Sequence, residues 1–415
     1  MTRADLLMGI LALLAFYTVF PDILLHYLGV GSWRRQYTPG VAITFDDGPN
    51  PDITPQILDI LARHQCQATF FIVGRRAAQY PELVQLIKSR GHRIGAHSYQ
   101  HRYAWFMSPW ATWRDWERSV AILEDITGEK VDWIRPPWGT FNLVTWLWLQ
   151  IRHKRAVLWN VDGHDWSART NPDMILRRIL KKIGPGSIIL LHDAGGDAGA
   201  PKNTLAGLDG LCRRIVEEKK LALVKLDFPD WPPVRRAVFT LWSKWENIFA
   251  QLSNVERISS SNVFRLSRRR YQGAAVYDPD GRLVARPGDM MGELHFDSLR
   301  LQVSGKSVTQ TAIRVLSLVR NSLPELAKYI HNNPDYKGIE LIAGVTLIHQ
   351  GASRLGFQVQ DLPDSWSLRV IGFAQKVIMR VYHSDQPPES HKIGNQKPKL
   401  VWMSRQQLLD RYLYS

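Results

Sequence analysis

The chain has 415 residues, long for one domain and sufficient for two, and its 45% hydrophobic and 22% charged content is that of a folded globular protein. A formal net charge of +15 is spread over both halves, which points to an anionic neighbourhood and away from a sequence-reading nucleic-acid module. Two cysteines, Cys66 and Cys212, exclude a disulfide framework, and there is neither a Gly-rich phosphate loop nor a C-x-x-C pair.

Residues 6–28 are nearly all apolar and about as long as a bilayer span, although Pro21 and Asp22 interrupt the run. A retained anchor is the expected reading. The runner-up is a signal peptide cleaved near Gly29-Val30-Gly31, and the third reading is an apolar helix buried in the fold. Arg3 on one side and Arg34-Arg35 on the other leave orientation open under the positive-inside rule. From residue 35 to about 227, short apolar runs alternate with amphipathic stretches. Strands are predicted at 41–45, 68–73, 93–97, 133–134, 156–161, 187–191 and 222–226. Helices are predicted at 54–64, 81–90, 109–127, 172–183 and 203–219. Such alternation makes a parallel sheet, and this many units make a barrel with its chemistry at the carboxyl ends of the strands.

Polar residues collect at those ends. Asp46-Asp47 closes the first strand before Gly48-Pro49, a costly pair unless one carboxylate meets a cation and the other a proton or an Arg. His97 and His101 are spaced to share one face if the segment turns helically. With a carboxylate from another strand they form a three-ligand set of the catalytic zinc type, and Fe(II) also suits two histidines and a carboxylate. Arg135, locked before Pro136-Pro137, is placed to hold a buried carboxylate, and the segment Asp162 to Trp166 supplies one to face it. His192, just beyond an apolar strand, is placed as a general acid. His26, His64, His92, His153 and His164 lack such placement and read as structural or solvated.

With these residues in hand, residues 38–226 closely resemble the polysaccharide deacetylases, the family 4 carbohydrate esterases with a NodB homology domain. Five motifs stand in order: Thr44-Phe45-Asp46-Asp47-Gly48-Pro49, His97-Ser98 to His101, Arg135-Pro136-Pro137-Trp138-Gly139, Asp162 to Asp165-Trp166, and Leu191-His192-Asp193. The resemblance implies a distorted (β/α) barrel and a divalent metal, zinc above all, with cobalt or another divalent ion as alternatives. It implies Asp46 as base, with Asp47, His97 and His101 as metal ligands. Arg135 would orient Asp46 and pair with Asp165, and His192 would be the acid. Trp138, Trp166 and Leu191 would bind substrate, Trp166 as a wall of the acetyl pocket. Trp138 stands where family members often carry Tyr.

The expected organisation is an anchor or signal segment over 1–34, the deacetylase barrel over 35–228, and a linker with an amphipathic helix over 229–270. A smaller α+β domain over 271–415 resembles the YkoP-like domain, whose function is unknown. Within it Pro324 is expected to break a helix over 312–330, and His295 and Asp297 are expected to be loop-facing polar residues. The function implied is metal-dependent N-deacetylation of a cell-envelope polysaccharide, peptidoglycan or chitin-like. It would be carried out beyond the cytoplasm by a single-pass membrane protein, or by a secreted one after cleavage. The partners are an N-acetylated glycan and, through the N-terminal helix, membrane lipid, with no nucleic acid. The alternatives are a deformylase or deacetylase of a lipid-linked sugar, and a glycan-binding pseudoenzyme.

Overall fold

A computed structural model of the chain describes residues 2–29, 31–36, 40–228, 238, 241–242, 245, 255–259, 262–297, 308–383 and 397–414. The chain divides into two units, 1–240 and 241–415. The expected break at Pro229–Pro233 and most of the helix expected over 234–252 lie outside the described residues.

The first unit is built on eight parallel strands. They are Ser32–Trp33 (β1), Ala42–Asp46 (β2), Thr69–Ile72 (β3), Arg93–Ala96 (β4), Trp133–Ile134 (β5), Arg155–Val157 (β6), Val161–Asp162 (β7) and Ile188–His192 (β8), in the spatial order β1-β6-β5-β4-β3-β2-β8-β7. The helices preceding or connecting them are Arg3–Tyr17 (α1), Val19–Asp22 (α2), Thr54–Arg63 (α3), Gly74–Gln79 (α4), Pro81–Ser89 (α5), Pro109–Thr127 (α6), Leu143–Ile151 (α7), Pro172–Lys182 (α8) and Ala200–Glu217 (α9). This is the curled parallel sheet with surrounding helices that the alternating pattern predicts. The central strands are buried along their whole length, as fits their near-continuous apolar sequences. Amphipathic α3, α5, α8 and α9 close over the sheet with Ile57, Ile87, Ile179 and Leu211 in the core.

Two expectations change, and one helix was not expected. The stretch predicted as one strand over 156–161 is two strands on opposite flanks: β6 pairs with β1 and β5, whereas β7 pairs with β8. Between them the Asn160 side chain receives the N–H of Ile188, so the chain leaves one ladder and joins the other. The strand predicted over 222–226 is reduced to a single bridge, Val41 to Leu223. The helix α7 was hidden by its composition, because Leu143 to Ile151 is apolar on nearly every face.

The second unit carries a six-stranded sheet. Its strands are numbered from Glu256–Arg257 (β9), Phe264–Arg270 (β10), Val276–Tyr277 (β11), Leu283–Ala285 (β12), Met290–Phe296 (β13), Leu341–Thr346 (β14), Gln358–Gln360 (β15) and Lys399–Ser404 (β16). The sheet order is β15-β16-β14-β13-β10-β9, with β11 and β12 as a separate pair. The helix Val308–Asn332 runs on through Pro324. Leu323, Leu326, Ala327 and Ile330 form a fully buried stripe on it. At about 1.5–3 kcal/mol per large apolar side chain, that burial outweighs the roughly 3 kcal/mol cost of an interior proline.

Candidate active site

The carboxyl ends of β2, β4, β5, β7 and β8 converge on one mouth. β2 and β8 run in register, with Asp46 opposite His192 and Phe45 opposite Leu191. Side chains alternate along a strand, so Asp46 and His192 share a face with Thr44 and Leu190. Phe45 and Leu191 point the other way, into the core beneath the helices. This corrects the expectation for Leu191, which is 1% exposed and turned from the mouth. The residue on the site's side is Leu190, a one-residue slip that flips the face.

Arg135 crosses the barrel interior with no exposed surface. Its Nη1 donates to Asp46 Oδ1 at 2.6 Å and to Thr44 Oγ1 at 2.8 Å, while Nε and Nη2 donate to the carbonyls of Val157 and Leu158. The guanidinium also lies 4.1 Å from the Phe71 ring centroid. Four of the five N–H donors of the fork are therefore used, and only one Asp46 oxygen is taken. Asp46 Oδ2 faces His97 Nε2 at 3.7 Å.

The expected pair between Arg135 and Asp165 is not formed. Asp165 instead accepts from the His192 backbone N–H at 2.7 Å and from Thr204 Oγ1 at 2.8 Å, and it meets His192 Nδ1 at 2.8 Å. Asp165 follows β7, the neighbour of β8, which puts it within reach of His192. Burial opposes charge on the His192 ring, but Asp165, with Asp47 and Asp46 beyond it, pushes its pKa up to about 10.

Asp47, His97 and His101 meet with their ligand atoms within 4.8 Å of one another. Asp47 Oδ1 lies 3.3 Å from His97 Nε2 and 2.9 Å from His101 Nε2. Burial works to raise the Asp47 pKa, but with protons on their Nε2 atoms the two imidazoles outweigh it and hold the carboxylate well below its usual range. His97 Nδ1 lies 2.6 Å from the Arg135 carbonyl, so the proton of a neutral ring sits there and the Nε2 lone pair faces Asp47. A buried carboxylate oxygen opposed by imidazole lone pairs is a donor set that calls for a cation. The residues fit a divalent metal.

The two histidines do not meet through a helical turn, as their spacing suggested. Ser98 and His101 are both left-handed, with φ of 60° and 54°, and the Ser98 hydroxyl accepts the His101 N–H. Asp115 on α6 receives the N–H groups of Tyr99 and Gln100, a clamp that no short motif signals. Asp47, Trp138 and His164 are left-handed too, with φ of 73°, 55° and 56°. Such conformations cost of order 1–3 kcal/mol each and gather at functional sites. Two glycines make the crowding possible. A Cβ on Gly195 would sit 2.1 Å from Asp47 Oδ2, and one on Gly48 would sit 2.3 Å from Asp193 Oδ2. Asp193 is buried and accepts from Thr54 Oγ1, and burial raises its pKa to about 7. Trp138 and Trp166 are 53% and 45% exposed, with Trp138 leaning on His101 at 4.6 Å between ring centroids.

The polysaccharide deacetylase family profile matches residues 34–151, and that of the YkoP domain matches 235–412. A chitooligosaccharide deacetylase of Sinorhizobium fredii is 38% identical over 180 residues, 42% of this chain and 79% of that one. The chain belongs to the polysaccharide deacetylase family. It is accordingly a hydrolase acting on amide C–N bonds. A peptidoglycan-N-acetylglucosamine deacetylase of Bacillus cereus is 36% identical over 159 residues, 38% of this chain and 74% of the relative. Among solved structures, a family 4 carbohydrate esterase from Streptomyces lividans in complex with acetate aligns at 27% identity with a TM-score of 0.41, over 46% of this chain and 98% of that one.

Proposed function

We propose that this deacetylase removes N-acetyl groups from sugars of a cell-envelope polysaccharide, peptidoglycan or chitin-like, in a divalent-metal-dependent reaction at the mouth of the barrel. One observation carries the reading: the adjacent carboxylates Asp46 and Asp47 have opposite partners. Asp46 is held by a cation already in the chain, Arg135, with one oxygen left over. Asp47 Oδ1 faces two imidazoles.

A divalent ion held by Asp47, His97 and His101, zinc by the preference of that set, supplies Lewis-acid polarisation of the amide carbonyl and acidifies water. The chain's own residues do the rest. Asp46, aimed by Arg135, takes the proton of the attacking water through its Oδ2. The backbone N–H of Trp138 would serve the developing oxyanion, a donor that replacement of the family's Tyr by Trp leaves in place. His192, held by Asp165 and kept protonated at neutral pH, gives its proton to the departing sugar amine. Trp138 and Trp166 flank the acetyl group. The apolar N-terminal helix attaches the enzyme to the membrane with the barrel outside the cytoplasm.

The test is release of acetate from N-acetylglucosamine oligomers and from peptidoglycan by the full chain, with and without a chelator. Metal-dependent release is the expected result. Glycan binding without release would favour the pseudoenzyme reading.

A further inference from the structure

The N-terminal segment is fixed to the barrel along its lower half and stands clear along its upper half. Tyr17 Oη donates to the Met107 carbonyl at 2.9 Å and accepts from Asn142 Nδ2 at 3.1 Å. Asp22, buried in an otherwise apolar run, accepts the Phe141 N–H at 2.9 Å. His26 Nδ1 lies 2.6 Å from the Gly139 carbonyl, and Leu25 is fully buried. Above Tyr17 no residue of α1 is buried, and Leu13 is 70% exposed.

The apolar part that stands clear, Leu6 to Phe16, measures about 16 Å at 1.5 Å per residue. A bilayer's hydrocarbon core is about 30 Å thick. A helix that spans it must carry lipid down over residues already lying on the barrel. The outward side of that lower half is open and apolar, with Phe20 and Ile23 each 44% exposed. The skin continues onto the barrel itself. The helix α7, which packs against α1 and α2, exposes Leu147 and Ile151. The loop that receives Tyr17 exposes Phe106 at 87% and leads to Trp110 at 72%. Single exposed apolar residues need no explanation, but several on the elements that meet an emerging apolar helix do.

We propose that this flank of the barrel is seated in the headgroup and upper acyl region of the bilayer, with lipid as its occupant. Phe106 and Trp110 take the place of an interfacial aromatic belt. The same segment touches the active-site turn. His26 meets the carbonyl of Gly139, and the neighbouring Trp138 leans on the ligand His101. The mouth is thereby held at the lipid surface, and the substrate it favours is an N-acetylated glycan of that polysaccharide while it is still carried on a membrane lipid. That last step rests on the proposed function, whereas the seating does not.

Both native cysteines are buried, so an introduced one is labelled selectively. Phe106→Cys, Ile151→Cys and, as a control on α9, Asp209→Cys are each labelled with an environment-sensitive dye in the full chain. Each is then reconstituted in phosphatidylcholine–phosphatidylglycerol vesicles. The expected result is a blue-shifted emission at 106 and 151 that is largely lost when spin-labelled lipid is added, with an aqueous emission at 209 unaffected by it. Emission at 106 and 151 as aqueous as at 209 overturns the seating. Shielding at 106 and 151 that spin-labelled lipid does not quench also overturns it, because a second copy of the chain or another protein then covers the flank. These readings need no turnover, so they separate from any failure of the deacetylase reading. For the substrate class, Phe106→Ser with Trp110→Ser should lose activity on a vesicle-bound N-acetylated glycolipid while keeping kcat on a soluble oligomer. Equal loss on both overturns that part.

Discussion

Among the described residues each unit buries one Arg–Asp pair, and the two pairs have different fates. In the barrel, Arg135 shares its fork among Asp46, Thr44 and two carbonyls, leaving Asp46 with one oxygen open to the mouth. In the second unit, Arg265 engages both oxygens of Asp297, Oδ2 at 3.1 Å and Oδ1 at 3.0 Å, with Arg257 behind at 3.7 Å. Asp297 is therefore not the loop-facing residue its sequence position suggested, but a buried carboxylate just after β13 with both oxygens turned to a guanidinium. His295 lies on β13 and is engaged by Glu293 and Ser267. The same residue types leave an oxygen for chemistry where the Arg meets one carboxylate oxygen, and make a structural clamp where it meets both.

That contrast can be broken most forcefully at the barrel. His192→Ala should lower kcat for acetate release by about 10²–10⁴, the range for loss of a general acid. Asp165→Asn should lower it less and move the alkaline limb of the pH–rate profile toward neutral pH, because Asp165 no longer holds the imidazolium pKa up near 10. An unmoved alkaline limb would detach Asp165 from His192. Arg135→Lys should cut the rate strongly with the fold retained, since an ammonium cannot reach Asp46, Thr44 and both carbonyls together. An unchanged rate would make Arg135 purely structural.

At the clamp the signs reverse. Asp297→Ala strands a buried guanidinium and should destabilise the second unit by about 3–5 kcal/mol in denaturant titration, leaving kcat untouched. Lost turnover with stability intact would make Asp297 a site after all. The mildest effect belongs to His92, whose Nδ1 accepts the Ala68 N–H. Burial first, then Lys225 and Arg90, push its pKa down from 6.5 to about 4. A depressed pKa contributes stability that is present above pH 6.5 and lost as pH falls toward about 4, because the unfolded chain takes up the proton first. Urea midpoints between pH 7 and 4 should show that slope, and His92→Gln should flatten it.

The strand–helix alternation and the five motifs were legible because each is local. A buried parallel strand is a short apolar run, and Asp46, Asp47, His97, Arg135 and His192 all end such runs. What escaped depends on contacts between distant segments. The split of 156–161 is decided by Asn160 and the neighbouring ladders. The partner of Asp165 is decided by strand adjacency, and the Leu190 face by register with β2. Asp115 and Asp22 each serve backbone N–H groups far along the chain, Asp115 from its place on α6 and Asp22 across to Phe141.

The central claim is that two adjacent carboxylates divide the work, Asp46 as base and Asp47 as ligand. Metal content and turnover measured together on Asp46→Asn and Asp47→Asn test it directly. The account predicts one divalent ion per chain and lost turnover in Asp46→Asn, with neither metal nor turnover in Asp47→Asn. Loss of the metal from Asp46→Asn, or a full ion in Asp47→Asn, would contradict it.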